Sequence, residues 1–201
     1  MARIIEITGI PASGKSTFLM KKGIEGFDPS KRKNTQGQKN KFILVKIGYE
    51  IWFFILGCIS LSPSNLFFFF KSSLHEKGSI LQNLNIFRNI IRKFGIRNLA
   101  IKENTDCYID EGISHIPFNL LNSDTTKIIE LTALFLKPIS LYYVDHPSIE
   151  SLEKRLNKRG HSRLKYWSTE AFVKKNLEIG ELITSIYPKY NISIKMVSSN
   201  A

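Results

Sequence analysis

Near the start of the chain, Gly9-Ile10-Pro11-Ala12-Ser13-Gly14-Lys15-Ser16-Thr17 follows the spacing G-x-x-x-x-G-K-[ST]. Residues of these types at these intervals can hold phosphates. Gly9 and Gly14 admit backbone angles and close approaches that a Cβ would block, so the N–H groups along the run, those of Ala12, Ser13 and Thr17 included, can surround phosphate oxygens. Lys15 would meet the β- and γ-phosphates as a cation. Ser16 would place its hydroxyl on Mg²⁺, and a helix opening there would turn its positive end toward the anion. A Gly/Ser surface turn is the plain alternative.

Two further stretches carry chemistry. Cys107-Tyr108-Ile109-Asp110-Glu111-Gly112 reads as a short apolar strand that ends in two carboxylates. Downstream lies a strongly basic segment with Lys154, Arg155, Lys158, Arg159, Arg163 and Lys165. Arg155 and Arg159 are four apart and share a face if they lie on one helix. Arg163 follows a hinge at Gly160, and the planar fork of an arginine pairs with two phosphate oxygens at once. A solvated basic helix end is the competing reading.

The elements that must position these groups follow from the hydrophobic pattern. Arg3 to Thr8 is β-rich and mostly apolar, and Ser16 to about Lys22 opens a helix that Gly23 and Gly26 end. This is the strand–loop–helix the phosphate pattern requires. Asp28 to Lys41 has no hydrophobic period and reads as a solvated loop or one that contacts phosphate or substrate. Ser79 to Phe94 predicts an amphipathic helix, with Ile80, Leu84, Phe87, Ile91 and Phe94 on its apolar side, Gln82, Arg88, Arg92 and Lys93 elsewhere, and Gly95 as its terminator. Asp124 caps a helix that stops at Pro138, and Ile139 to Asp145 is a strand of the buried parallel type. Pro147 is placed at the first position of the next helix, Ser168 caps another, and Ile192 to Val197 alternates like an outer strand. The series predicts an α/β fold, a parallel sheet covered by helices on both faces, in one domain spanning 1–201.

The segment 42–70 stands apart. From Ile51 to Phe70 no residue is charged, a length that raises the question of a membrane span. Ser62-Pro63-Ser64-Asn65 divides it as a turn, Lys41, Lys46 and Glu50 give its first half a narrow polar stripe, and Ser64 is a plausible cap for a second helix ending before Gly78. The expectation is a helical hairpin, part of a helical insert over 42–95. It is hydrophobic enough to be largely covered, by burial in the domain or in a homodimer interface; a peripheral contact with a membrane and a true span are the alternatives.

Composition narrows the class. The chain has 201 residues, 43% of them hydrophobic, with 29 Lys plus Arg against 17 Asp plus Glu and a formal net charge of +12. That excess suits nucleic acid, an acidic membrane surface or a phosphate-bearing small substrate, and part of it reflects a composition rich in Ile, Lys, Asn and Phe. Cys58 and Cys107 make neither a disulfide framework nor a metal spacing and suit a reducing compartment. A strand and loop that begin almost at Met1 leave no room for a signal peptide, so the expected setting is cytoplasmic, with the inner face of the membrane as a variant of it.

Taken together, three runs resemble the nucleoside- and nucleotide-kinase branch of the P-loop proteins. They are Gly9 to Thr17, Tyr108-Ile109-Asp110-Glu111-Gly112 as a Walker B-like element, and Leu141-Tyr142-Tyr143-Val144-Asp145-His146-Pro147 followed by Arg155 to Arg163. The last looks like the strand, helix and arginine-bearing LID of thymidylate-kinase-like enzymes. The resemblance implies a P-loop NTPase-type sheet and an ATP- and Mg²⁺-dependent kinase that moves a γ-phosphoryl group to a hydroxyl or phosphate of a nucleoside, nucleotide or sugar-type acceptor. Lys15 would neutralise phosphates, Ser16 and Asp110 would order the metal, and Glu111 would be a base or an acceptor contact. Arg155, Arg159 and Arg163 would stabilise the transferring group. The 42–70 stretch has no counterpart in that resemblance. An NTPase switch, with Glu111 polarising water, and a polynucleotide-directed kinase are the alternatives. The latter is the weaker, because no aromatic-basic recognition motif accompanies the charge.

Overall fold

The computed structural model describes residues 3–27 and 39–198, with side chains from Ile47 onward in the second span. The chain runs β1 (Ile4–Thr8), α1 (Lys15–Lys21), α2 (Lys39–Ser60), α3 (Pro63–Leu74), α4 (Ile80–Glu103), β2 (Cys107–Asp110), α5 (Thr125–Leu136), β3 (Ser140–Asp145), α6 (Ile149–Arg159), α7 (Thr169–Ile186) and β4 (Ile194–Ser198). Short 3₁₀ turns lie at Ile113–His115, Pro117–Asn119, Ser162–Lys165 and Tyr187–Tyr190. The four strands form one all-parallel sheet in the order β2-β1-β3-β4. This is the α/β class the alternation of elements predicts.

The register explains why distant parts of the sequence meet. Ile7 pairs with Asp110 on one side and with Tyr142 on the other. Because every strand points the same way, the residues after Thr8, Asp110 and Asp145 emerge at one edge of the sheet. Here β1 is the strand at which the winding changes direction, the place where open α/β sheets hold ligands.

The two faces of the sheet are covered unequally. One carries Ile4, Ile109, Leu141 and Tyr143 beneath the buried positions of α4, α5 and α7, which together make the main core. Opposite them, Ile7 and Val144 meet only Phe18 and Leu19 of the seven-residue α1, with Ile24, Tyr108, Tyr142 and Val197 partly buried around them. Cover by helices on both faces is therefore met on one face in full and on the other only by α1, among the described residues.

Several boundaries differ from those expected. Gly95 does not end its helix: α4 continues through it to Glu103. Its missing Cβ is used by a neighbour, since a Cβ there would lie 2.0 Å from the carbonyl oxygen of Phe53 in α2. Gly57 makes the reciprocal approach, 2.0 Å from the carbonyl oxygen of Ile91. The cap of α3 is Ser62 rather than Ser64. Ser62 Oγ accepts from the N–H of Asn65 at 3.3 Å, and Pro63 opens the helix, where its missing N–H costs nothing. Pro147 lies before its helix instead of opening it, because Ser148 is the cap. Caps at Asp124 and Ser168 form where the sequence places them, and Ser79, read as the first residue of its helix, is the cap of α4.

α2 and α3 form the expected bent pair, with axes 120° apart, and no single helix among the described residues is long and apolar enough to cross a membrane. Phe53, Phe69 and Phe94 are fully buried where α2, α3 and α4 meet. Glu50 is paired with Arg92 Nε at 2.9 Å. The cover is one-sided, however. Ile47, Ile51, Trp52, Ile55 and Ile59 stay exposed, contrary to the expectation of a largely covered hairpin. The loop expected over Asp28 to Lys41 lies outside the described residues up to 38, and Lys39 to Lys41 open α2. The stripe side chains Lys41 and Lys46 are also outside them.

Candidate functional site

The turn between β1 and α1 bends through three positive-φ residues, Gly9 (144°), Ala12 (67°) and Gly14 (106°). At Gly9 a side chain has no room, since a Cβ would sit 2.6 Å from the carbonyl oxygen of Val144. Ser13 is fully buried, its N–H bonded to the carbonyl of Ile10 and its Oγ without a hydrogen-bond partner. A buried hydroxyl left so costs free energy unless another group meets it, on the order of 1–3 kcal/mol.

Lys15 opens α1 and is 6% exposed. Its Nζ donates to the carbonyls of Gly9 and Ile10, each at 3.0 Å, and lies 3.2 Å from Glu111 Oε1. Burial lowers the ammonium from its ordinary value and Glu111 draws it back up. Glu111 follows β2 in a left-handed conformation, φ 51°, which turns it from the strand direction toward the loop. His115 Nε2 stands 3.7 Å from the same carboxylate oxygen. The Glu111 carboxyl is held below the ordinary carboxylate range by His115, Lys15 and Lys93, against burial. Burial in turn pushes the His115 imidazole well below its ordinary value.

Sequence reasoning missed a second layer under these groups. Glu6 of β1 is fully buried, and its Oε1 accepts from the Ser114 N–H at 2.5 Å and from the Ser114 hydroxyl. Burial raises its pKa, opposed by Ser114 and by Lys93. Gly112 is needed beside it, because a Cβ there would lie 2.5 Å from the Glu6 carboxyl carbon. Lys93, expected on the polar side of α4, instead reaches the carbonyl of Glu111, and burial lowers its pKa. One signal was available: a carboxylate inside the apolar run Ile4-Ile5-Glu6-Ile7 is out of place unless a partner waits for it. Lys93 and His115 had no signal of their own.

Two cavities meet at Glu111. The larger, about 560 Å³, is lined by Ser16, Asp110, Lys93, Arg92 and Asn89, with Glu111, His115 and Asn119 on its wall. The smaller, about 190 Å³, has the same three wall residues and adds Pro11, Ala12, Arg159 and Arg163. Arg155 lies alongside, donating through Nη1 to the carbonyl of Ala12 at 3.3 Å. All three arginines singled out in the sequence thus gather at the loop, though not in equivalent ways. Arg163 is 9% exposed, donates to the carbonyl of Asn119 at 2.5 Å and lies 3.7 Å from buried Glu76. It is partly spent on tying its turn to the α3–α4 connection, whereas Gly160, left-handed at the end of α6, leaves Arg159 at the helix terminus.

Mg²⁺ takes oxygen donors, keeps several waters, and is held by one or two protein groups beside phosphates. Ser16 and Asp110 both offer oxygens to the larger cavity, and that fits. No group of three His, Cys, Asp or Glu side chains that could hold a metal occurs among the described residues. Comparison of the chain with protein-family models, with curated proteins and with solved structures returned no match.

Proposed function

We propose that this protein is a phosphotransferase that moves the γ-phosphoryl group of ATP, with Mg²⁺, to a hydroxyl or phosphate oxygen of a small-molecule acceptor. One observation carries the reading: Glu111, on the wall shared by two cavities, is paired at 3.2 Å with the buried Lys15 of the glycine-bounded loop. The smaller, with the loop residues and arginines, suits the donor phosphates. In the larger, Ser16 and Asp110 suit the metal beside those phosphates, and Lys93, Arg92 and Asn89 suit the acceptor.

In this reading the acceptor oxygen forms a bond to the γ-phosphorus as the bond to the β-phosphate oxygen breaks, and ADP leaves. Charge spreads over the equatorial oxygens, so position and compensating cations do most of the work. Lys15 and Arg159 supply cations, and Arg155 braces the loop at Ala12. Ser16 and Asp110 would hold Mg²⁺, which neutralises phosphate charge when bound. A carboxylate held as acidic as Glu111 is a weak base. Its role is to orient the acceptor hydroxyl and to take the proton late, when the oxygen has become acidic.

The test is incubation with ATP-Mg²⁺ and pools of nucleosides, nucleotides and sugars, with label in the γ-phosphate. Label in an organic product is expected. Label released only as inorganic phosphate would replace this reading with an NTPase switch, and a chain that neither binds nor turns over ATP overturns both.

A further inference from the structure

The exposed side of α2 has a composition of its own. Ile47, Ile51, Ile55 and Ile59 recur every four residues and are 50, 56, 43 and 76% exposed, and Trp52 beside them is 50% exposed. On a helix these five fall within an arc of about 140°. The opposite side is committed: Phe53 and Gly57 face α4, and Glu50 is paired with Arg92.

Charge says what can cover that arc. Between Lys39 and Leu74 the chain has a single carboxylate, Glu50, against Lys39, Lys41, Lys46 and Lys71. A second copy of this chain would bring the same acid-poor, lysine-bearing segment to this one, and each copy carries a formal charge of +12. An anionic bilayer supplies both things the face lacks, an apolar layer for isoleucine and phosphates for lysine. Tryptophan, with an apolar body and one N–H, favours that boundary.

We propose that α2 is a membrane-surface helix that lies in the headgroup layer of an anionic phospholipid bilayer through Ile47, Ile51, Trp52, Ile55 and Ile59. It lies along the surface and does not cross it, because its inner side is bound to α4. The proposal stands whether or not the protein transfers phosphate.

The test is co-sedimentation of the full chain with vesicles of phosphatidylcholine alone and of phosphatidylcholine with phosphatidylglycerol, at low and high salt. Binding to the anionic vesicles should exceed binding to neutral ones by about tenfold or more and fall as salt screens the lysines. Ile51→Ser/Ile55→Ser should lower it by about tenfold while the thermal melt stays in place, since neither side chain is buried. Lys39→Gln/Lys41→Gln should weaken binding to the anionic vesicles several-fold and lessen its salt dependence. Absence of pelleting with either vesicle in the wild-type chain overturns the proposal, and so does equal binding to both at all salt concentrations. A chain that is dimeric without lipid and becomes monomeric on Ile51→Ser/Ile55→Ser, with no vesicle binding, assigns the face to self-association instead.

Discussion

Glycine is used for opposite ends in two regions of this molecule. At the edge of the sheet, Gly9 and Gly112 clear space so that charged and polar groups can converge: the loop folds against β3, and Glu6 reaches Ser114. At the crossing of α2 and α4, Gly57 and Gly95 clear space so that two backbones can touch, at Ile91 and at Phe53. The first arrangement trades stability for a site, since it gathers Glu6, Lys15, Lys93, Glu111 and His115 where burial opposes the charged form of each. The second trades nothing, and it seats Phe53, Phe69 and Phe94 in a common core.

Substitution can separate the two. The largest expected effect is on Lys15→Ala, which should lower γ-phosphoryl transfer by about 10²–10³-fold, the range for loss of one preorganised donor. Its melting temperature should stay within a few degrees of wild type. Unchanged turnover, measured with labelled ATP, removes Lys15 and its loop from the chemistry.

Next comes Gly95→Ala, which forces α2 and α4 apart at a contact with backbone. About 1–3 kcal/mol of stability should be lost, read as a melting point several degrees lower, while transfer per folded molecule changes little. Gly57→Ala should cost a similar amount, and the double variant less than the sum, because both relieve one crossing. A fully additive pair would mean that the two glycines act separately.

Smaller effects are expected at the carboxylates after β2. Asp110→Asn should raise the Mg²⁺ concentration needed for half-maximal rate. Glu111→Gln should slow turnover by about tenfold, less than the roughly 10²–10⁴-fold that loss of a general base costs. A larger loss would restore the role of base to Glu111.

The smallest concerns pH. Glu6 has its pKa raised on folding, so between the unfolded value near 4.3 and the raised folded value the native chain binds more protons than the unfolded one. Its contribution is fully present below that window and is lost as pH rises through it. Urea midpoints of the wild type and of Glu6→Gln should therefore diverge with rising pH, the variant gaining. Parallel pH profiles for the two would show that Glu6 does not titrate in this range.

The site was legible where chemistry is local in sequence. Gly9 to Thr17 and Asp110-Glu111 announce themselves because spacing and residue type are constrained together, and the parallel register then brings them to one edge. Lys93 was not legible, since its neighbours place it on the polar side of an amphipathic helix, and only the packing of α4 beside β2 aims it at Glu111. Gly95 misled for a related reason. A glycine in a helix interior costs about 1 kcal/mol against alanine and reads as a stop, yet here the helix continues because a close partner uses the gap. The unequal cover of the sheet was hidden too, because Tyr108 and Tyr142 have the same composition whether a helix crosses them or not.

Gly57 also has an evolutionary consequence. Turning α2 by one residue moves every side chain about 100° around its axis and would set Leu56 or Cys58 against the Ile91 carbonyl, where no Cβ fits. The outward row of isoleucines is therefore selected by a residue that does not belong to it. Single isoleucines on that row can drift among apolar types with little harm, whereas a side chain at 57 pushes α2 off α4, so heredity should guard position 57 more closely than the exposed row.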